Sequence, residues 1–143
     1  MIIRRMLADD AGKVAELEAA NFSQPWKAKD FEKAAEDKDV LYLVAEEDEN
    51  IIGCCGVRNL LGEGEITNVS VHASCRRKGI AENLLRRLLD EGMQMGMTDF
   101  TLEVRSSNLA AVRLYEKLGF KTEGVRSGFY SRPKEDAFIM WKH

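Results

Sequence analysis

The chain has 143 residues, a formal net charge of −3, 45% hydrophobic residues and 31% charged residues. That is enough apolar material for one ordinary domain with a real core, and too little length for a second. A mildly acidic chain of mixed sign excludes a generic duplex binder, which needs a basic face, so phosphate recognition here has to be local.

The opening "MIIRRMLADD" carries cations but no apolar stretch after them, and no run approaches the roughly twenty residues of a membrane span. A cytoplasmic protein without a membrane partner is expected. "IIRRM" reads as a short strand, and Asp9 or Asp10 can N-cap a helix with Val14 and Leu17 on one face. A second helix starts just after Pro25 in "QPWKAKDFEKAAED". "VLYLVAEE" and "IIGCCGVRNLL" are two strands joined by the acidic turn "DEN", an antiparallel hairpin. Cys54 and Cys55 fall in the second of these and point to opposite faces; with Cys75 they make an odd number at no metal-ligand spacing, so reduced thiols and no metal are expected. "GEITNVSVH" is a fourth strand, alternating Ile66, Asn68 and Ser70 against Thr67, Val69 and Val71.

After Gly79, the spacing of Ile80, Leu84, Leu85, Leu88 and Leu89 predicts an amphipathic helix with Gly92 as its stop. "DFTLEV" is a fifth strand. "NLAAVRLYEKLGF" is a helix with Asn108 as N-cap and Gly119 at its end, and "KTEGVRSGFY" and "DAFIMWK" are two closing strands. This order predicts one α/β domain over 1–143, with a mixed, mostly antiparallel sheet of seven strands and helices on both faces.

The turn "SCRRKGIA" between the fourth strand and the long helix gathers unpaired amides in front of a helix dipole, a ready phosphate site. Gly79 admits a ligand close to the main chain, Ala81 keeps the next turn open, and Arg76, Arg77 and Lys78 add charge. Neither the G-x-x-x-x-G-K-[ST] nor the G-x-G-x-x-G nucleotide motif is present. A solvated basic turn is the plain alternative.

R-x-x-G-x-A followed by a long amphipathic helix and then N-x-x-A-x-x-x-Y-x-x-x-G-F resembles the GCN5-related N-acetyltransferase (GNAT) superfamily. The resemblance implies a fold in which the fourth and fifth strands splay apart and acetyl-coenzyme A lies between them. It implies that the main chain from Arg76 through Arg77, Lys78, Gly79, Ile80 and Ala81 to Glu82 holds the pyrophosphate. Val69, Ser70 and Val71 would pair with the pantetheine arm, and Asn108 would contact the cofactor from the following helix. Arg76 stands where glutamine is frequent, and Ala81 where glycine is. "QPW", "NVSV", "LEVRSSN", "LYEKLGF" and "FYSRPKEDAFIM" further resemble the ribosomal-protein alanine N-acetyltransferase branch. That branch modifies the N-terminus of the eighteenth small-subunit protein, with residues matching Glu103 as general base and Tyr115 as general acid. The implied partner is thus a ribosomal protein N-terminus, met by a monomeric enzyme with no direct nucleic-acid contact.

Direct transfer from a thioester needs a neutral amine, a stabilised oxyanion and a proton for the leaving thiolate. An α-amine, with a reference pKa of about 7.7 to 8.0, needs only a modest base. Glu103 could supply it, shifted toward a useful range by apolar strand neighbours; its plain reading is an ion pair with Arg105. Tyr115 can donate to the thiolate; its plain reading is a core aromatic whose hydroxyl is hydrogen-bonded within the protein. The oxyanion would meet a free N–H near Val69. Trp26 and Tyr130 are candidates for the acceptor pocket, and both have ordinary packing roles open to them. Two other functions stay open: acetylation of a small-molecule amine or lysine side chain, and non-catalytic binding of an acyl-coenzyme A.

Overall fold

The computed structural model describes residues 1–22, 25–131 and 133–143. Its strands are β1 (Ile2–Arg5), β2 (Val40–Glu47), β3 (Asn50–Leu60), β4 (Glu63–Val71), β5 (Asp99–Arg105), β6 (Lys121–Ser131) and β7 (Lys134–Lys142). Its helices are α1 (Ala11–Asn21), α2 (Ala28–Glu36), α3 (Ile80–Gln94) and α4 (Leu109–Lys117). One seven-stranded sheet runs β1-β2-β3-β4-β5-β7-β6. Every neighbouring pair is antiparallel except β4 and β5. The sequence reading of a mixed, mostly antiparallel sheet is borne out, and the expected element order holds throughout.

The β4–β5 pair is the one parallel join of the sheet. It is registered only at Glu63 with Asp99, Gly64 with Phe100 and Glu65 with Thr101. Beyond these positions β4 stays on β3 and β5 turns to β7, so a seam opens in the middle of the sheet. The expected splay is present.

Each face carries its own core. Leu84, Leu85, Leu88 and Leu89 of α3 and Tyr115 of α4 pack with Leu43, Cys55, Phe100 and Leu102 on one face. Val14 and Leu17 of α1 and Phe31 of α2 pack with Tyr42, Val44 and Cys54 on the other. Cys54 and Cys55 thus divide between the two faces, and all three cysteines are free thiols.

Four local expectations are corrected. Thr67 is bulged against Gly56 and Val57, so β4 changes phase there: Ile66 joins Val69 and Val71 on the α3 face, while Asn68 and Ser70 face α1. The simple alternation read from the sequence fails because a bulge adds one residue that a period of two does not count. Gly92 does not stop α3, which continues to Gln94 and turns at Gly96, φ 96°. Gly92 instead lets Phe100 pack on the helix, since a Cβ there would lie 2.9 Å from the ring. Asp10 does stand at the N-cap of α1, but its side chain does not cap the helix: it bonds the Leu7 amide at 2.8 Å and Arg4 at 2.7 Å, which pull its carboxyl below the usual range, the arginine most. α2 begins at Ala28 rather than directly after Pro25.

Candidate active site

The turn from β4 to α3 is built for an anion. Arg77 (φ 67°) and Gly79 (φ 74°) both take the left-handed conformation, which folds the chain sharply into the helix. Gly79 is the N-cap and offers no side-chain cap, and the first intrahelical bond is that of Asn83 N to Gly79 O at 3.0 Å. The amides of the first turn therefore face outward unsatisfied, into open space around Gly79. Ile80 fixes the helix start because its side chain is buried in the large core, leaving only its amide for a ligand. Ala81 is half-buried beside it.

The charged side chains are partly committed elsewhere. Arg76 donates to Asn21 Oδ1 at 2.7 Å, tying the turn to the end of α1. Glu82 bonds Lys117 at 2.8 Å and Arg86 at 3.1 Å, and these cations hold its carboxyl below the usual range, Lys117 most. Arg77 and Lys78 are exposed. Asn108 caps α4 by accepting from Ala111 N at 3.2 Å, so its Nδ2 is the group left to face a ligand.

The backbone of β4 supplies the other wall. His72 N donates to Ile52 O at 2.7 Å, and antiparallel alternation then turns the N–H and C=O of Ser70 and Asn68 toward β3 and those of Val69 and Val71 into the seam. Asn21 Nδ2 takes the Val71 carbonyl at 3.1 Å and also bonds Ser70 Oγ. The Val69 N–H faces the seam.

Glu103 and Tyr115 approach from opposite faces. Leu102 and Val104 belong to the large core, so Glu103 between them points to the α1 face. It is exposed and accepts from Arg126 at 3.2 Å, so the apolar enclosure expected for it is not found. An ion pair does form, but with Arg126; Arg105 meets Glu135 at 3.3 Å and lies 4.2 Å over the Tyr130 ring. Glu135 reaches Arg105 from the neighbouring β7, whereas the long Arg126 side chain reaches Glu103 from β6, across β7. Tyr115 is buried, with its ring edge-on to Phe120 at 5.9 Å. Burial drives its ionisation well above the ordinary tyrosine range, so the hydroxyl keeps its proton. That hydroxyl has no hydrogen-bond partner among the described residues, unlike the plain core aromatic considered above.

Tyr130 is half-buried beside Glu103 and Arg105, edge-on to the exposed Phe129 at 5.1 Å. Trp26 lies elsewhere: it packs at a tilt against Phe31, ring centroids 5.3 Å apart, and lines a shallow groove with Asp30, Lys33 and Arg58. Gln24 of "QPW" and Arg132 of the "FYSRPKEDAFIM" block lie outside the described residues. One buried acid escaped the sequence reading. Glu18 is 2% exposed beneath β4, and the available signal was its place four residues after Val14 on the buried face of α1.

The model of the acetyltransferase (GNAT) family matches residues 11–120. The chain belongs to the GNAT acetyltransferase family. A putative ribosomal protein bS18-alanine N-acetyltransferase of Bacillus subtilis is 34% identical over 97% of this chain and 93% of its own. The ribosomal-protein-S18-alanine N-acetyltransferase of Escherichia coli superposes with a TM-score of 0.90 at 29% identity, over 99% of this chain and 92% of the other. PaiA N-acetyltransferase from Thermoplasma acidophilum, solved in complex with coenzyme A, shares the fold with a TM-score of 0.81 at 20% identity, over 99% and 97% of the two chains. The resemblance to the ribosomal-protein alanine branch is borne out by the first two of these. GNAT enzymes use acetyl-coenzyme A, and the uncapped helix start, the open space at Gly79 and the seam-facing β4 backbone fit such a molecule. Among the described residues, no group of three or more histidine, cysteine or acidic side chains is arranged to hold a metal, and no helix is long and apolar enough to cross a membrane.

Proposed function

We propose that this acetyltransferase acts on the N-terminal α-amine of a ribosomal protein, the alanine of the eighteenth small-subunit protein. The observation that carries the transfer chemistry is the Tyr115 hydroxyl, kept protonated by burial of its side chain and without a hydrogen-bond partner among the described residues. The acceptor class is supported by the two ribosomal-protein alanine acetyltransferases to which the chain is similar.

Acetyl-coenzyme A supplies the activated acyl group. The amides from Arg77 to Glu82 bind its pyrophosphate, with Arg76 and Lys78 assisting and Asn108 Nδ2 contacting it from α4. Val69 and Val71 line the pantetheine arm through the main-chain groups that alternation turns into the seam, while Ser70 between them turns its own toward β3. Glu103 accepts the proton of the arriving ammonium, which competes with the Arg126 guanidinium for the same oxygens. The Val69 N–H stabilises the developing oxyanion; as the C–S bond breaks, Tyr115 gives its proton to the departing sulfur and regains one from the second proton that the new amide nitrogen sheds. Tyr130, with Arg105 against its ring, flanks the acceptor beside Glu103. The single domain works as a monomer in the cytoplasm.

The test is intact-mass analysis of an alanine-initiated ribosomal peptide incubated with enzyme and acetyl-coenzyme A, alongside the same peptide with its α-amine blocked. One acetyl on the free peptide and none on the blocked one is expected. Acetylation of the blocked peptide at lysine, or of neither, refutes the reading.

A further inference from the structure

α1 meets the open half of β4 through polar side chains. Asn21 bonds Ser70 Oγ and the Val71 carbonyl, and is itself held by Arg76. One turn earlier, the buried Glu18 carboxyl interacts with the buried Asn68 side chain. Cys54 Sγ stands 4.0 Å from Glu18 Oε1, and the Tyr42 hydroxyl 3.7 Å from Cys54 Sγ. The groups beside Glu18 are therefore Tyr42 from β2, Cys54 from β3 and Asn68 from β4; among the described residues no cation bonds it. Burial keeps both Tyr42 and Cys54 protonated, the thiol pushed up to about 12.

A buried carboxylate without a cation is costly, and burial accordingly pushes Glu18 up to about 7. A second observation points the same way. Asn68 Oδ1 is a fully buried acceptor with no donor among the described residues. An ionised Glu18 has no proton to give it, whereas a carboxylic acid does. The acid O–H then bonds Asn68 Oδ1, the amide N–H returns to the other carboxyl oxygen, and the Cys54 thiol leans on that same oxygen. Asn68 shares a peptide plane with Val69: its carbonyl faces β3, and the Val69 N–H faces the seam.

We propose that Glu18, as a neutral carboxylic acid paired with Asn68, is a positioning residue for acetyl transfer that holds the peptide carrying the Val69 N–H. The proposal rests on the reading of that N–H as the oxyanion donor. Two measurements on the full chain test it. The first needs no substrate: infrared difference spectra at pH 6 are expected to show a protonated-carboxyl carbonyl band in the wild type that Glu18→Gln lacks. The second is steady-state kinetics with acetyl-coenzyme A and the alanine peptide. Glu18→Gln retains a donor for Asn68 and is expected to keep kcat within about threefold. Glu18→Met fills the space without a donor and is expected to lower kcat by about tenfold or more, with the KM for acetyl-coenzyme A changed less than about threefold, since displacing an oxyanion donor acts in the transition state. If the methionine variant does not fold, Asn68→Ala puts the same question from the other partner. Absence of the band, or wild-type kcat in Glu18→Met or its substitute Asn68→Ala, overturns the proposal, as does an equal loss in Glu18→Gln. A failure of the acceptor reading is separate, because it appears as an unmodified peptide while the infrared result stands.

Discussion

Replacing Glu18 by glutamine should change how stability depends on pH, and the sign follows from burial. The folded protein keeps the Glu18 proton up to about pH 7, whereas the unfolded chain releases it near the ordinary value of 4.5. Stability from this group is therefore complete below 4.5 and is lost as pH rises toward 7, beyond which nothing more is lost. At about 1.4 kcal/mol per pH unit the full difference is about 3 kcal/mol, of which roughly 2 kcal/mol falls between pH 5 and pH 7. Glutamine has no proton to lose, and every other titrating group is common to both proteins, so subtracting one curve from the other isolates Glu18. Thermal unfolding of both proteins at half-unit steps from pH 4.5 to 8 measures it. For a chain of this size, the wild-type Tm should fall by roughly 6 °C relative to Glu18→Gln between pH 5 and 7. A Tm difference that stays constant across that range would show that Glu18 has no elevated affinity for a proton, and would refute the reasoning.

Tyr115→Phe and Glu103→Gln should each leave the fold intact and lower kcat by about 10² to 10⁴-fold, the usual contribution of an acid or base; unchanged turnover removes that residue from the chemistry. Gly79→Val, at φ 74°, meets no protein atom but strains the turn and crowds the amides, so calorimetry should show a greater loss of acetyl-coenzyme A affinity than for neutralising Arg77 or Lys78. The reverse ranking would give the site to the side chains. Gly56→Ala should destabilise by roughly 1–3 kcal/mol in urea unfolding, because the new methyl group runs into the Tyr42 ring.

The fold was legible because its signals are local and repeated. The leucine spacing after Gly79 fixed α3, the "DEN" turn fixed the β2–β3 hairpin, and Asn108 and Gly119 bracketed α4. The conformation of the β4–α3 turn was legible for the same reason: a glycine at a helix start constrains the backbone whatever surrounds it. What was missed depends on partners distant in sequence. The bulge at Thr67 exists against Gly56 and Val57, the partner of Glu103 comes from another strand, and the burial of Glu18 follows from β4 lying across α1. Hydrophobic periodicity reports which way a side chain points, but not what stands there.

The seam between β4 and β5 is also a division of the chain. Every strand on one side lies before residue 72 and every strand on the other after residue 98, and α3 with a short connection is the covalent link between them. Each half-sheet completes its own antiparallel ladder without help from the other. A backbone cut between Gln94 and Asp99 would therefore sever no strand, and the two fragments would have to find each other through three parallel rungs and the apolar surface shared by α3, Phe100 and Leu102. Reassembly of such a split pair would be favoured by any ligand that touches both lips at once, and the fragments would then report its binding.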